Sequence, residues 1–106
     1  MKEINNIEEF NTLIAQSKPV LLDFYAEWCG PCQALLPVVS ELAIENEDLI
    51  EIQKINVDKQ PELAQKFGVR SIPALFFIKD GKVVEQLMGN QPKSILQERI
   101  TRYSAN

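Results

Sequence analysis

The chain has 106 residues, 45% of them apolar and 25% charged, with 15 acidic against 11 basic side chains and a net charge of −4. That length allows one packed domain, here expected over residues 1–106, with a core that needs neither a disulfide staple nor a structural metal. Lys and Arg are scattered, which excludes nucleic-acid binding through a basic face, and no apolar run is long enough to span a bilayer.

Lys2 to Ile4 is expected as a short strand. Asn6 has the chemistry of a helix N-cap, with Glu9 three residues on as its capping-box partner. Ile7, Phe10, Leu13 and Ile14 recur at helical spacing, so a first helix is expected to about Gln16. Ser17-Lys18-Pro19 breaks that pattern. Val20 to Tyr25 is nearly continuous and apolar, the pattern of a strand covered on both faces. After Ala26-Glu27-Trp28-Cys29-Gly30-Pro31-Cys32 comes a long helical stretch carrying Leu35, Leu36, Val38, Val39, Leu42 and Ala43, with Pro37 expected to kink it. Ile50, Ile52, Ile55 and Val57 mark another strand. Pro61 opens a short helix that Gly68 ends. Ala74 to Ile78 is a strand, Asp80-Gly81 a tight hairpin turn, and Val83 to Leu87 the returning strand. Pro92 opens a last amphipathic helix carrying Ile95, Leu96 and Ile100. Phe10, Phe24, Phe67, Phe76 and Phe77 are assigned to the core.

The order β-α-β-α-β-α-β-β-α predicts an α/β fold: a central mixed five-stranded sheet with four helices on its two faces. The two long strand–helix–strand crossovers demand parallel strands, and the final hairpin adds antiparallel ones. Cys29 to Cys32 then falls after the C-terminal end of a central strand and at the start of a helix, where sites are built in open α/β sheets.

The polar start, Met1-Lys2-Glu3-Ile4-Asn5, lacks the apolar centre of a signal peptide, and a cytoplasmic location is expected. In a reducing compartment a cysteine pair points to catalysis or metal binding rather than a static staple. Only a thiolate attacks a disulfide, so the site must favour the anion. Cys29, at a helix N-terminus, has unpaired N–H groups and the positive end of the helix dipole for that purpose. Pro31 suits the first helical turn, and the two-residue spacer lets the sulfurs bridge. The expected cycle has Cys29 attack a substrate disulfide and Cys32 resolve the mixed disulfide. The bland alternatives are a zinc half-site or two unrelated core cysteines. Tetrahedral zinc wants about four ligands, and the chain has no His and no third Cys. No metal site is therefore expected.

Trp28-Cys29-Gly30-Pro31-Cys32 resembles the active-site signature of the thioredoxin family. The resemblance covers nearly the whole chain: "VLLDFYAEWCGPC", Pro37 in the long helix, "KINVD", "FGVRSIPALFFIKDGK" and Gly89 before the last helix. It implies a thioredoxin fold and a protein disulfide reductase that passes electrons to disulfide-containing proteins. It also implies recharging by a thioredoxin reductase that draws on NADPH, with no cofactor bound to the chain itself. A monomer without nucleic-acid or membrane partners is expected.

Asp23 interrupts an apolar strand, where burial should raise its pKa and suit it to proton transfer with Cys32, the role its position holds in the family. A purely structural aspartate is the alternative. By resemblance Lys54, on the next strand, would pair with Asp23 and tune it; a plain surface lysine is equally compatible. Pro73 reads as an ordinary strand-opening proline from sequence alone. The resemblance instead implies a cis Ile72–Pro73 bond beside the cysteines, freeing the Ile72 backbone to pair with an extended substrate. Trp28, Gly30, Pro31, Ile72, Pro73 and Gly89 would form an apolar docking platform, although without a fold Trp28 could equally be core. The resemblance also assigns Gly30 and Pro31 an influence on redox potential. Gln33 stands where many thioredoxins carry Lys, Ala74 where Thr is usual, and Ser71 and Asn90 replace smaller neighbours. These departures bear on which targets dock. An oxidase or isomerase and a non-catalytic subunit of a larger assembly are the competing readings; Gly30-Pro31 and the intact cysteines argue against them.

Overall fold

The computed structural model describes residues 1–105; Asn106, the last residue of the expected domain, lies outside them. The elements are β1 (Lys2–Glu3), α1 (Ile7–Ile14), β2 (Val20–Tyr25), α2 (Gly30–Glu45), β3 (Glu51–Asn56), α3 (Pro61–Lys66), β4 (Ala74–Lys79), β5 (Lys82–Met88) and α4 (Lys93–Ser104). The strands form one mixed sheet in the order β1-β3-β2-β4-β5. β1 and β2 both run parallel to β3, β4 is antiparallel to β2, and β5 is antiparallel to β4. Of the crossovers, β2-α2-β3 joins neighbours. β1-α1-β2 joins strands that are parallel but separated by β3.

Local chemistry sets the boundaries. Asn6 caps α1 by accepting the Glu9 N–H at 2.8 Å. Glu9 reaches back one residue further than expected, to the Asn5 N–H at 3.0 Å, so the capping box closes on Asn5 rather than on the cap itself. The helix stops at Ile14 with Ala15 as its C-cap, short of Gln16. α2 is continuous across Pro37, whose missing N–H leaves the Gln33 carbonyl without a helical donor. At the β4–β5 hairpin, Asp80 and Gly81 both have positive φ (54° and 76°), the geometry that matches the twist of a two-residue hairpin.

Every residue of β2 is buried, which makes it the centre of the molecule. Its alternation splits the core. Val20, Leu22 and Phe24 face Ile4, Phe10, Leu13, Leu63 and Phe76. Leu21 faces Leu35, Val39 and Leu42 of α2 and Leu96 and Ile100 of α4. Half-buried Phe67 packs on the first cluster, its ring 5.6, 5.3 and 5.0 Å from those of Phe10, Phe24 and Phe76. Phe77 lies on the opposite face against Tyr103.

Candidate active site

β2 delivers the chain into a tight turn, closed by the Cys29 N–H donating to the Ala26 carbonyl at 3.2 Å. Cys29 is the N-cap of α2 in extended conformation, and its Sγ accepts the Cys32 N–H at 3.2 Å. Pro31 occupies the first turn, where a missing N–H costs nothing. Cys29 and Cys32 are bridged by a disulfide with Cα atoms 5.2 Å apart. Cys29 keeps 6% exposure and Cys32 none. Both pack with Tyr25 and Ala26 and against Leu36, Val57 and Ile72. The sulfur of Cys29 therefore sits among the unpaired N–H groups of a helix start, which lower the energy of an anion there.

The loop before β4 closes over this sulfur. The Ile72–Pro73 peptide is cis. The Ile72 carbonyl oxygen lies 3.9 Å from Cys29 Sγ. Among the described residues, neither the N–H nor the carbonyl of Ile72 takes part in a backbone hydrogen bond. Gly89, at φ +79°, donates its N–H to the Pro73 carbonyl at 2.9 Å, a backbone conformation that side chains disfavour. Trp28 is 72% exposed, which removes the core reading, and its Nε1 donates to Asp58 Oδ2 at 2.8 Å. Trp28 and Ile72 share the wall of a groove of about 200 Å³ with Val57 and Val69.

Asp23 is 1% exposed, and neither carboxyl oxygen has a hydrogen-bond partner among the described residues. Burial pushes its pKa from 3.8 to about 7, against the opposing pull of the Lys54 charge. It lies on β2 between Leu21, which packs on α2, and Tyr25, which packs on Cys32, so it shares the α2 face with the cysteines. Lys54 sits opposite Asp23 in register on β3. Its ion pair is with Glu3, Nζ to Oε1 3.9 Å, and not with Asp23. The direct Asp23–Lys54 pair expected from the resemblance is thus absent, and Lys54 acts on Asp23 only through its field.

The family model for thioredoxin matches residues 2–102. The chain belongs to the thioredoxin family. It is 50% identical over 84 residues to the thioredoxin of Bacillus subtilis, covering 79% of this chain and 81% of that one. To the thioredoxin of Alicyclobacillus acidocaldarius it is 45% identical over 91 residues, covering 86% and 87%. Its fold is similar to the solved thioredoxin of Malassezia sympodialis, with TM-score 0.91, 34% identity, and 99% and 91% of the two chains covered. As a thioredoxin-family protein it is a thiol–disulfide oxidoreductase, and the bridged Cys29–Cys32 pair supplies the dithiol–disulfide couple. Among the described residues no cluster of His, Cys, Asp or Glu could hold a metal ion. Among the described residues no helix is long and apolar enough to cross a membrane either.

Three contributors escaped the sequence reading. Asp58 anchors Trp28 and lies within "KINVD", but nothing in its spacing connects it to an indole 30 residues away. Glu3 and Tyr25 are joined by a hydrogen bond from the Tyr25 hydroxyl to Glu3 Oε1. Finding it would require the register of β1, which a two-residue strand does not announce.

Proposed function

We propose that Cys29 is the attacking thiol and Cys32 the resolving thiol of a general protein disulfide reductase. The observation that carries this is the asymmetry of the pair: Cys29 caps α2 beside the open Ile72 backbone, while Cys32 is wholly enclosed. In the reduced protein, the Cys29 thiolate attacks one sulfur of a substrate disulfide. That disulfide breaks and its far sulfur leaves as a thiolate that takes up a proton. The Asp23 carboxylate accepts the proton of Cys32. The Cys32 thiolate then attacks Cys29 Sγ, displaces the second substrate thiol and re-forms the intramolecular disulfide. Two electrons pass from the cysteine pair to the substrate.

An extended substrate segment pairs with the free Ile72 backbone while Trp28, Gly30, Pro31, Pro73 and Gly89 provide the apolar platform around the sulfur. The carboxyl pKa near neutrality supports Asp23 as the proton acceptor. The chain works as one thioredoxin unit. It is recharged by a thioredoxin reductase at the expense of NADPH, in a reducing compartment such as the cytoplasm.

The test is insulin disulfide reduction with NADPH and a thioredoxin reductase. The parent protein is expected to turn over and the Cys29→Ser and Cys32→Ser proteins to stay at background. Equal activity in the serine variants, or none in the parent, would overturn the reading. For Asp23, an Asp23→Asn protein with the parent's exchange rate and pH profile would remove the proton-transfer role.

A further inference from the structure

Three charged side chains lie in one cross-strand row. Glu3 of β1 is opposite Lys54 of β3, and Lys54 is opposite Asp23 of β2. Residues paired in register share a face of the sheet, so one ammonium stands between two carboxylates. The next position in the row, on β4, is apolar Leu75. Asp23 is enclosed and Glu3 is near the edge, so the two acids compete on unequal terms.

Glu3 prevails in that competition. Its Oε1 accepts the Tyr25 hydroxyl and stands 3.9 Å from Lys54 Nζ. The same ammonium lies 5.2 Å from the centre of the Tyr25 ring, a second attraction to a group other than the Asp23 carboxyl. Asp23 meanwhile has no hydrogen-bonding partner among the described residues. The groups facing Asp23 from the surrounding elements are Tyr25 on its own strand, Lys54 on β3, Glu3 beyond it on β1, and Cys32 on α2, bridged to Cys29 here.

We propose that Glu3 is a positioning residue for the exchange reaction: anchored by the Tyr25 hydroxyl, it draws the Lys54 ammonium toward β1 and leaves the Asp23 carboxyl without an ion-pair partner. An unpaired buried carboxyl holds its proton to a higher pH than a paired one, which matches it to a thiol donor. The functional meaning rests on Asp23 being the proton acceptor proposed above; the geometric statement does not.

The experiment follows the ¹³C shift of the Asp23 carboxyl against pH in the oxidised protein, for the parent, Glu3→Gln, Lys54→Met and the double variant. Glu3→Gln releases Lys54 toward Asp23 and is expected to lower the midpoint by roughly 0.2–0.7 pH units, the size of a partly exposed ion pair. Lys54→Met raises it. In the Lys54→Met background the Glu3→Gln shift falls to less than half, because the effect travels through the lysine. Glu3→Asp, too short to span both partners, gives a smaller shift of the same sign. An unchanged or raised midpoint in Glu3→Gln overturns the proposal, as does an equal shift with and without Lys54. Because the titration reads Asp23 itself, a parent-like exchange rate in Asp23→Asn would remove the proton role while leaving this result standing.

Discussion

The two faces of the sheet are built from the same strands and differ in kind. On the α1–α3 face, Phe10, Phe24, Phe67 and Phe76 interlock with no buried charge among them. On the α2–α4 face the strand residues alternating with them include Asp23, and the packed helix α2 brings Cys32. Phe24 and Asp23 are adjacent in sequence and point to opposite sides. Both faces bury an apolar cluster, but only the α2–α4 face also holds an unpaired carboxyl beside its packed side chains.

The separation is tested first at Phe24. Removing this fully buried ring leaves a cavity in the aromatic cluster, so Phe24→Ala is expected to cost about 3–5 kcal/mol in urea unfolding. The exchange rate should be retained under conditions where the variant is folded. A folded Phe24→Ala protein without activity would break the division between the faces.

Asp23 gives the reciprocal test, and its sign is fixed by linkage. Its pKa is about 7 folded and 3.8 ordinarily. Well below both values the carboxyl is protonated in the folded and unfolded chain and contributes no pH dependence. Between them the folded protein alone keeps the proton, so stability falls as pH rises; above them the full cost of a buried charge is present. Asp23→Asn should therefore gain on the parent between pH 4 and pH 8, by on the order of 4 kcal/mol. Calorimetry at the two pH values checks this, and a pH-independent difference would refute it.

Smaller effects sharpen the picture on the α2–α4 face. Buried Asn46 exchanges amide hydrogen bonds with Gln97 at 2.9 Å each way and donates to the Leu42 carbonyl, tying the end of α2 to α4. Asn46→Ala is expected to cost about 1–3 kcal/mol, and the Gln97→Ala double variant less than the sum. Trp28, exposed beside the site, sits at the far end of the scale. Trp28→Ala should alter stability by no more than about 0.5 kcal/mol. On the docking role proposed for Trp28 it should also raise KM for protein disulfides, because the cysteine pair is kept while the proposed platform is not.

Much of this was legible in the sequence because it is periodic or punctuated. The buried β2 run, the Asp80-Gly81 hairpin and the Pro31 and Pro61 helix starts announce themselves locally. The cysteine pair was legible as well, since its geometry is confined to one helical turn. Strand order was not, because β1 reaches its place beside β3 only through the assembled sheet. For the same reason the sequence left Lys54 open between a pairing with Asp23 and a plain surface position, and Glu3 was not among its expected partners. Its pairing with Glu3 depends on a register between residues 51 positions apart, and on a Tyr25 hydroxyl that orients the acid. Side chains whose roles arise across strands leave no spacing to read.

The placement of Cys29 just beyond β2 has a mechanical consequence. While a mixed disulfide exists, the partner protein hangs from that sulfur, and any pull it exerts is passed through the short turn into β2. That strand is bonded along its length to β3 on one side and β4 on the other. A pull along its axis loads both ladders in shear, so many hydrogen bonds share it at once. The covalent intermediate is tethered next to a strand bonded on both sides, so a pull along that strand is resisted by the sheet rather than by a loop alone.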